Sequence, residues 1–278
     1  MAEWQTHQTQ NLTLATVCGF KSHLLHENKK PDEFSSGFFV FPKDRGNLRK
    51  REKSMDTEKL PVELYLIHTG FLDEETVFQR KLQHVSQKRR ERVLAYKIRE
   101  DQKRSLAAGL LLEHILNEHG YNGEMVAVEE NGKLFLPGVD DFFFSLSHSG
   151  EYAACVVSDV PIGVDIQKKR ETKASIAKRF FQWEEADRIA KAPEMGKDDL
   201  FFRYWTGKES YLKLTGQGLG GGLDSFFVDL DEMRITDRYN QNRNIYLKEY
   251  KCLEDYYISV ACYSKEFSMF AKKIYYRL

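Results

Sequence analysis

In Ile162-Gly163-Val164-Asp165-Ile166-Gln167, apolar residues alternate with Gly163, Asp165 and Gln167. A period of two marks a strand with one buried face, so Asp165 and Gln167 project from the same side. A buried acid on such a strand needs a partner. That need constrains the fold more than any other feature. Read as a helix, the segment from Phe201 to Lys213 supplies the partner. Phe202, Thr206, Glu209 and Lys213 fall on one stripe, and Phe201, Trp205 and Leu212 form a neighbouring apolar stripe suited to a core. A strand acid facing a helix acid, with a lysine one turn on, has the makeup of a magnesium–polyphosphate site. Magnesium takes hard oxygen ligands, usually one or two carboxylates with substrate phosphates and waters.

The chain has 278 residues, enough for one large or two modest domains. Lys plus Arg and Asp plus Glu both number 42, so whole-chain charge singles out no partner and local charge carries that argument. No apolar run approaches the ~20 residues of a membrane span. The first residues lack a basic start followed by an apolar stretch, so no secretory signal is expected. Cys18, Cys155, Cys252 and Cys262 form no CxxC pair and no zinc spacing, which fits a reduced, cytoplasmic setting.

Residues 1–60 mix polar stretches with an aromatic cluster from Phe34 to Phe41 and a charged run from Arg45 to Lys53. They read as an N-terminal extension, disordered or loosely docked. Met55 stands just before the first clear strand, Val62 to Ile67, so translation from Met55 is an alternative that intact mass would decide. From Phe71 to about His119 the pattern is helical, with Gly120 as the stop. Strands are expected around Met125–Val128, Leu134–Leu136, Phe142–Leu146, Tyr152–Val157 and Ile162–Ile166. A second helical region spans Thr172 to about Thr215, and strands return at Ser225–Leu230, Asn244–Tyr250 and Tyr256–Cys262. This order predicts an α+β fold of two subdomains, 61–160 and 161–278, with a cleft between them.

Phe142 to Gly150 reads as a strand emptying into a hydroxyl-rich turn that contains Ser147, His148 and Ser149. Such a turn presents ligands, or its serines bond local backbone. Residues 86–105 form a basic helical region whose arginines suit bidentate phosphate contacts; as a solvated face it would carry no function. Gly216, Gly218, Gly220, Gly221 and Gly222 leave a helix and precede a strand, the reverse of a phosphate-binding loop. They read as a flexible turn bordering the cleft.

Together, Phe144-Ser145-Leu146-Ser147-His148-Ser149, Ile162-Gly163-Val164-Asp165-Ile166, Ala177-Lys178-Arg179-Phe180-Phe181, Trp205 to Lys213 and Gly216-Gln217-Gly218-Leu219 resemble the 4′-phosphopantetheinyl transferases of the surfactin-synthetase-activating type. The resemblance covers about Val62 to Cys262. It implies two similar α/β halves related by a pseudo-twofold, with coenzyme A as co-substrate in the cleft and Mg²⁺ on its pyrophosphate. A carrier-protein serine would attack the β-phosphorus and release adenosine 3′,5′-diphosphate. By position, Asp165 and Glu209 match metal ligands, and Gln167, where many members carry a third acid, is expected to contribute to the metal directly or through water. Ser147 and His148 match residues that hold the adenosine-side phosphates, and Arg89, Arg92, Arg104 and Ser105 match the surroundings of the 3′-phosphate. Lys133 matches a nucleotide-contacting lysine, and Lys208 and Lys213 match lysines near the pyrophosphate. Glu185 matches an acid proposed to deprotonate the serine, with Glu209 and its water as the other candidate.

The resemblance further implies an apo acyl- or peptidyl-carrier protein as partner and a monomer; sparse stacking aromatics beside the basic helix and a balanced charge count against a nucleic-acid partner, and no membrane partner is expected. Nothing separates fatty-acid, polyketide and peptide-synthetase carriers. Carriers are usually acidic near the modified serine, so Lys168, Lys169 and Arg170 are candidates to guide them, or else an ordinary charged loop. The rival readings are a non-catalytic carrier- or coenzyme-A-binding module, another Mg-dependent nucleotide phosphotransferase or pyrophosphatase, and a nucleic-acid binder that rests on the basic helix alone.

Overall fold

The protein is described here by a computed structural model covering residues 60–172, 174–218, 222–237 and 244–276. The N-terminal extension, the Met55 start and the glycine-turn positions Leu219, Gly220 and Gly221 lie outside the described residues. In chain order the elements begin with β1 (Glu63–His68), α1 (Glu75–Leu82), α2 (Gln87–Ala95) and α3 (Arg99–Glu118). There follow β2 (Ala127–Val128), β3 (Leu134–Phe135), β4 (Phe143–Ser149), β5 (Tyr152–Ser158) and β6 (Ile162–Lys168). Then come α4 (Ala174–Phe180), α5 (Trp183–Lys191) and α6 (Glu194–Thr215). The chain continues through β7 (Phe226–Asp229), β8 (Arg234–Asp237), β9 (Ile245–Glu249), β10 (Tyr256–Cys262) and β11 (Lys272–Ile274).

Two sheets result, in the orders β11-β1-β5-β4 and β6-β10-β9-β8-β7, with β2 and β3 as a separate ribbon. Each sheet carries one long helix on its outer face. On α3, Leu106, Leu110, Leu111 and Ile115 pack against Tyr65 and Ile67 of β1 and Cys155 and Val157 of β5. On α6, Phe202, Trp205 and Leu212 pack with Ile235, Leu247 and Ala261. The inner faces meet in a third core of Leu64, Leu66, Ala154, Val156, Val164, Ile166, Ile258 and Val260. The order is therefore helix, sheet, sheet, helix, and strands apolar on both faces are what such layering requires.

Gly163 sets how closely α6 approaches. A Cβ there would lie 2.0 Å from Ser210 O and 2.4 Å from Leu214 N, so helix backbone rests directly on β6. Asp165 and Gln167 share the face of Gly163 and are thereby aimed at α6. The long helices stop as the sequence predicts, at Gly120 (φ 81°) and Gly216 (φ 74°), both left-handed. The chain's closing strand leaves the second sheet: β11 pairs in parallel with β1, joining the tail to the first.

Candidate active site

The two acids converge. Asp165 and Glu209 are 2% and 6% exposed, and the Asp165 charge is the second cause, after burial, that pushes the Glu209 carboxyl up to about 8, against the pull of Lys213. Glu209 Oε1 is buried without a hydrogen-bond partner. Asp165 is held on all sides. Its Oδ1 accepts from Ser147 Oγ at 2.7 Å and Lys213 Nζ at 2.6 Å, and its Oδ2 accepts from Gln167 Nε2 at 3.1 Å. The Lys213 ammonium also reaches Ser147 Oγ at 2.9 Å.

This polar end opens into a pocket of about 770 Å³, mouth included, lined by Arg89, Arg92, Lys133, Glu209 and Lys213 among others. Arg89 comes from α2, whose first turn is capped by Ser86. Its stem fits because Gly109 of α3 has no Cβ, which would lie 2.7 Å from Arg89 Cγ. Burial, then repulsion from Arg92, lowers the Arg89 guanidinium to about 10. Lys133 anchors the 131–133 turn to the end of α6, donating to Leu214 O at 2.6 Å. Burial also lowers its pKa. Gly216 and Gly218 border the pocket, as expected of the glycine turn.

Burial, then the cations Arg104, Lys213, Arg89 and Arg92, depress the His148 imidazole to about 3. One histidine in the field of four cations describes a strongly electropositive wall, suited to a polyanion. Arg104 itself is braced by Asp101 Oδ1 at 2.5 Å and Gly150 O at 3.1 Å. Ser105 is enclosed in α3 with its hydroxyl unpartnered.

Three expectations need correction. Glu185 and Lys208 are completely enclosed and pair with each other at 2.8 Å, away from the pocket. Glu185 also accepts from Gln182 N at 2.9 Å and Val228 N at 2.8 Å, closing the capping box of α5. Lys208 gives its remaining protons to Leu223 O at 2.7 Å and Phe226 O at 2.9 Å. Burial, the largest influence on both, raises the Glu185 pKa and lowers that of Lys208 despite the pairing. Neither group is accessible to a substrate. Gln167 also differs from its expected role. Its amide nitrogen faces Asp165 and its carbonyl accepts from Ser149 Oγ at 3.3 Å, so it supports the acid instead of offering it a companion ligand.

The expected hydroxyl-rich turn is still strand, since β4 runs through Ser149. Ser145 and Ser149 were missed as site residues, although their Ser-x-Ser-x-Ser spacing around Ser147 places all three on one strand face.

The profile of the 4′-phosphopantetheinyl transferase superfamily matches residues 161–266, the part of the chain that carries both acids. A 4′-phosphopantetheinyl transferase of Bacillus subtilis is 33% identical over 194 residues, covering 68% of this chain and 86% of the relative. The chain belongs to the 4′-phosphopantetheinyl transferase family. The enzyme Sfp of Bacillus subtilis strain 168 is 30% identical over 195 residues, 68% of this chain and 87% of its own. The Bacillus pumilus phosphopantetheinyl transferase psf-1 is 36% identical over 135 residues, 48% of this chain and 58% of its own. The chain is accordingly an enzyme, a phosphopantetheinyl transferase.

Among the described residues no group of three or more His, Cys, Asp or Glu is gathered to hold a metal. The donor set still fits magnesium completed by substrate: two carboxylates, one with an orphaned buried oxygen, beside a cationic wall for phosphates. Among the described residues no helix is long and apolar enough to cross a membrane. Cys155, Cys252 and Cys262 are free thiols.

Proposed function

We propose that the enzyme moves 4′-phosphopantetheine from coenzyme A to a serine of an apo acyl- or peptidyl-carrier protein in a Mg²⁺-dependent reaction, releasing adenosine 3′,5′-diphosphate. One observation carries the reading: Asp165, Glu209 and Lys213 converge at the end of a pocket walled by Arg89, Arg92 and Lys133. Asp165 and Glu209 would hold Mg²⁺, which when bound neutralises charge on the pyrophosphate and leaving oxygens. Gln167 would steady Asp165 from behind.

The chain's own groups supply the rest. Arg89, Arg92, Arg104 and His148 bind the adenosine-side phosphates, and Lys133 closes the nucleotide end of the pocket. Lys213, which pairs with Asp165 in the free protein, would meet the charge of the pyrophosphate. As the carrier oxygen bonds to the β-phosphorus, the bond to the adenosine bisphosphate oxygen breaks. The hydroxyl proton needs an acceptor within hydrogen-bond reach. With Glu185 enclosed, Glu209 or a water it holds is the acceptor this chain offers. Lys168 and Lys169, proposed to guide the carrier, already face Glu151 and Asp199, at 3.5 and 2.5 Å. We take the enzyme to act as a cytoplasmic monomer.

The test is to incubate the protein with coenzyme A, Mg²⁺ and an apo carrier, then weigh the carrier. A gain of one phosphopantetheine group is expected, and it should vanish in Asp165→Ala and Glu209→Ala while both variants stay folded. Full transfer by either variant would refute the assigned site, and an unmodified carrier despite stable coenzyme A binding would favour a binding module.

A further inference from the structure

Strands β4 and β6 are the terminal strands of their sheets, and they lie side by side without joining into one ladder. An edge strand presents a row of backbone N–H groups that must find partners when buried. On β6 the partners are side chains. Val164 N donates to Ser145 Oγ at 3.2 Å, Ile166 N to Ser147 Oγ at 3.3 Å, and Lys168 N to Ser149 Oγ at 3.0 Å. Three successive same-face serines of one strand thus meet three successive same-side amides of the other. Opposite Val156, Ala154 and Tyr152 of β5, the serines sit on the face that borders the core between the sheets.

Each hydroxyl can accept from β6 and still donate elsewhere. Ser147 donates to Asp165 Oδ1 while accepting from Lys213 Nζ, and Ser149 donates to Gln167 Oε1, whose amide nitrogen in turn holds Asp165 Oδ2. The same contacts that join the sheets therefore end on both oxygens of Asp165.

We propose that Ser145, Ser147 and Ser149 form a hydroxyl zipper between the sheets, and that Ser149 is a positioning residue that fixes Asp165 for the cation through Lys168 N and Gln167. The zipper stands on the contacts alone, and its bearing on the cation rests on the function proposed above. Without the Ser149 hydroxyl, the Lys168 amide loses its acceptor and the Gln167 amide is free to turn away from Asp165.

The experiment compares wild type with Ser149→Ala and Ser149→Thr, the latter keeping the hydroxyl at a half-buried position. Backbone amide hydrogen exchange reads the zipper. Mn²⁺ titrated into protein with coenzyme A, followed by electron paramagnetic resonance, reads the positioning. Ser149→Ala should speed exchange at Lys168 and weaken Mn²⁺ binding roughly tenfold, the scale for lost outer-shell partners of metal ligands. Ser149→Thr should restore both. Unchanged exchange in Ser149→Ala would overturn the zipper. Faster exchange with Mn²⁺ affinity intact would overturn the positioning role. Wild type that binds no Mn²⁺, with Ser149→Ala still exchanging faster, would sink the metal reading and leave the zipper upheld.

Discussion

Glu209 holds its proton far above the usual carboxylate range because its charged form is both buried and repelled by Asp165. The sign of the consequence is fixed by linkage. A carboxyl raised from 4.5 to about 8 binds more protons folded than unfolded between those values, so its stabilising contribution, full at low pH, is lost as pH rises towards about 8. His148 works in the opposite sense lower down. Depressed from 6.5 to about 3, it costs the fold stability as pH falls through that interval. Between about 6.5 and 8 only Glu209 of the two contributes a slope. Urea unfolding of the metal-free protein should therefore show a midpoint that falls across this window, and Glu209→Gln should flatten the fall; an undiminished slope in the variant would reject the assignment. A second residue-scale expectation concerns Gln167. Gln167→Glu replaces the amide that holds Asp165 Oδ2 with a like charge, so it should lower metal-free stability; the added carboxylate should outweigh that lost support and reduce the Mg²⁺ needed for half-maximal transfer several-fold, because site affinity follows ligand charge. Asp165 and Glu209 were legible because each is an acid inside an apolar pattern. Glu185 and Lys208 carry no such mark in the sequence, and only the fold reveals that they answer each other.

At the scale of elements, that enclosed pair ties α5 to α6 and to the strand entry at Phe226. Removing one partner of a buried ion pair typically costs about 3–5 kcal/mol. Glu185→Gln should accordingly lower the thermal midpoint by several degrees yet leave kcat near wild type at temperatures where the variant is folded. A kcat collapse in the folded variant would return Glu185 to the chemistry. The contact of α6 with β6 makes a sharper demand. Gly163→Ala drives a methyl into helix backbone, and overpacking of that kind costs about 1–3 kcal/mol while displacing Glu209 and Lys213 from Asp165. Gly207→Ala meets only side-chain atoms of Val228 and Leu247, at 3.2 Å and beyond, which need give by only a few tenths of an ångström, and should cost less than Gly163→Ala. Urea midpoints and carrier loading measured on both variants distinguish backbone collision from mere loss of glycine. The helical regions themselves were readable from periodicity, but their subdivision was not. The break at 96–98 carries no Gly or Pro, and the break before α6, marked by Pro193, falls inside the single helical region read from Thr172 to about Thr215. The short strands β8 and β11 offer too few residues for any period to show.

Across the whole molecule the labour is divided: the first sheet with α2 and α3 brings the cationic wall, and the second sheet with α6 brings the acids. The strands themselves were legible, Tyr152–Ser158 and Tyr256–Cys262 among them. Which strands would form edges was not, because pairing order depends on contacts distant in sequence. The return of the tail is the clearest case. β11 covers β1, with Lys272 bridging to Glu63 at 2.7 Å, and just beyond it Tyr276 stacks on Phe71 and donates to Leu110 O at 3.1 Å. The tail thus belongs physically to the half that carries the cationic wall, although it follows the half that holds the acids. Deleting the chain from Ala271 onward should expose the backbone edge of β1, an invitation to pair with another molecule. It should also loosen α3, the helix that packs behind Arg89. The expected outcome is self-association visible by light scattering, together with a raised KM for coenzyme A in the monomeric fraction and a kcat that changes less. A truncated protein that remains monomeric with an unaltered KM would show that the first sheet holds its cations without its last strand.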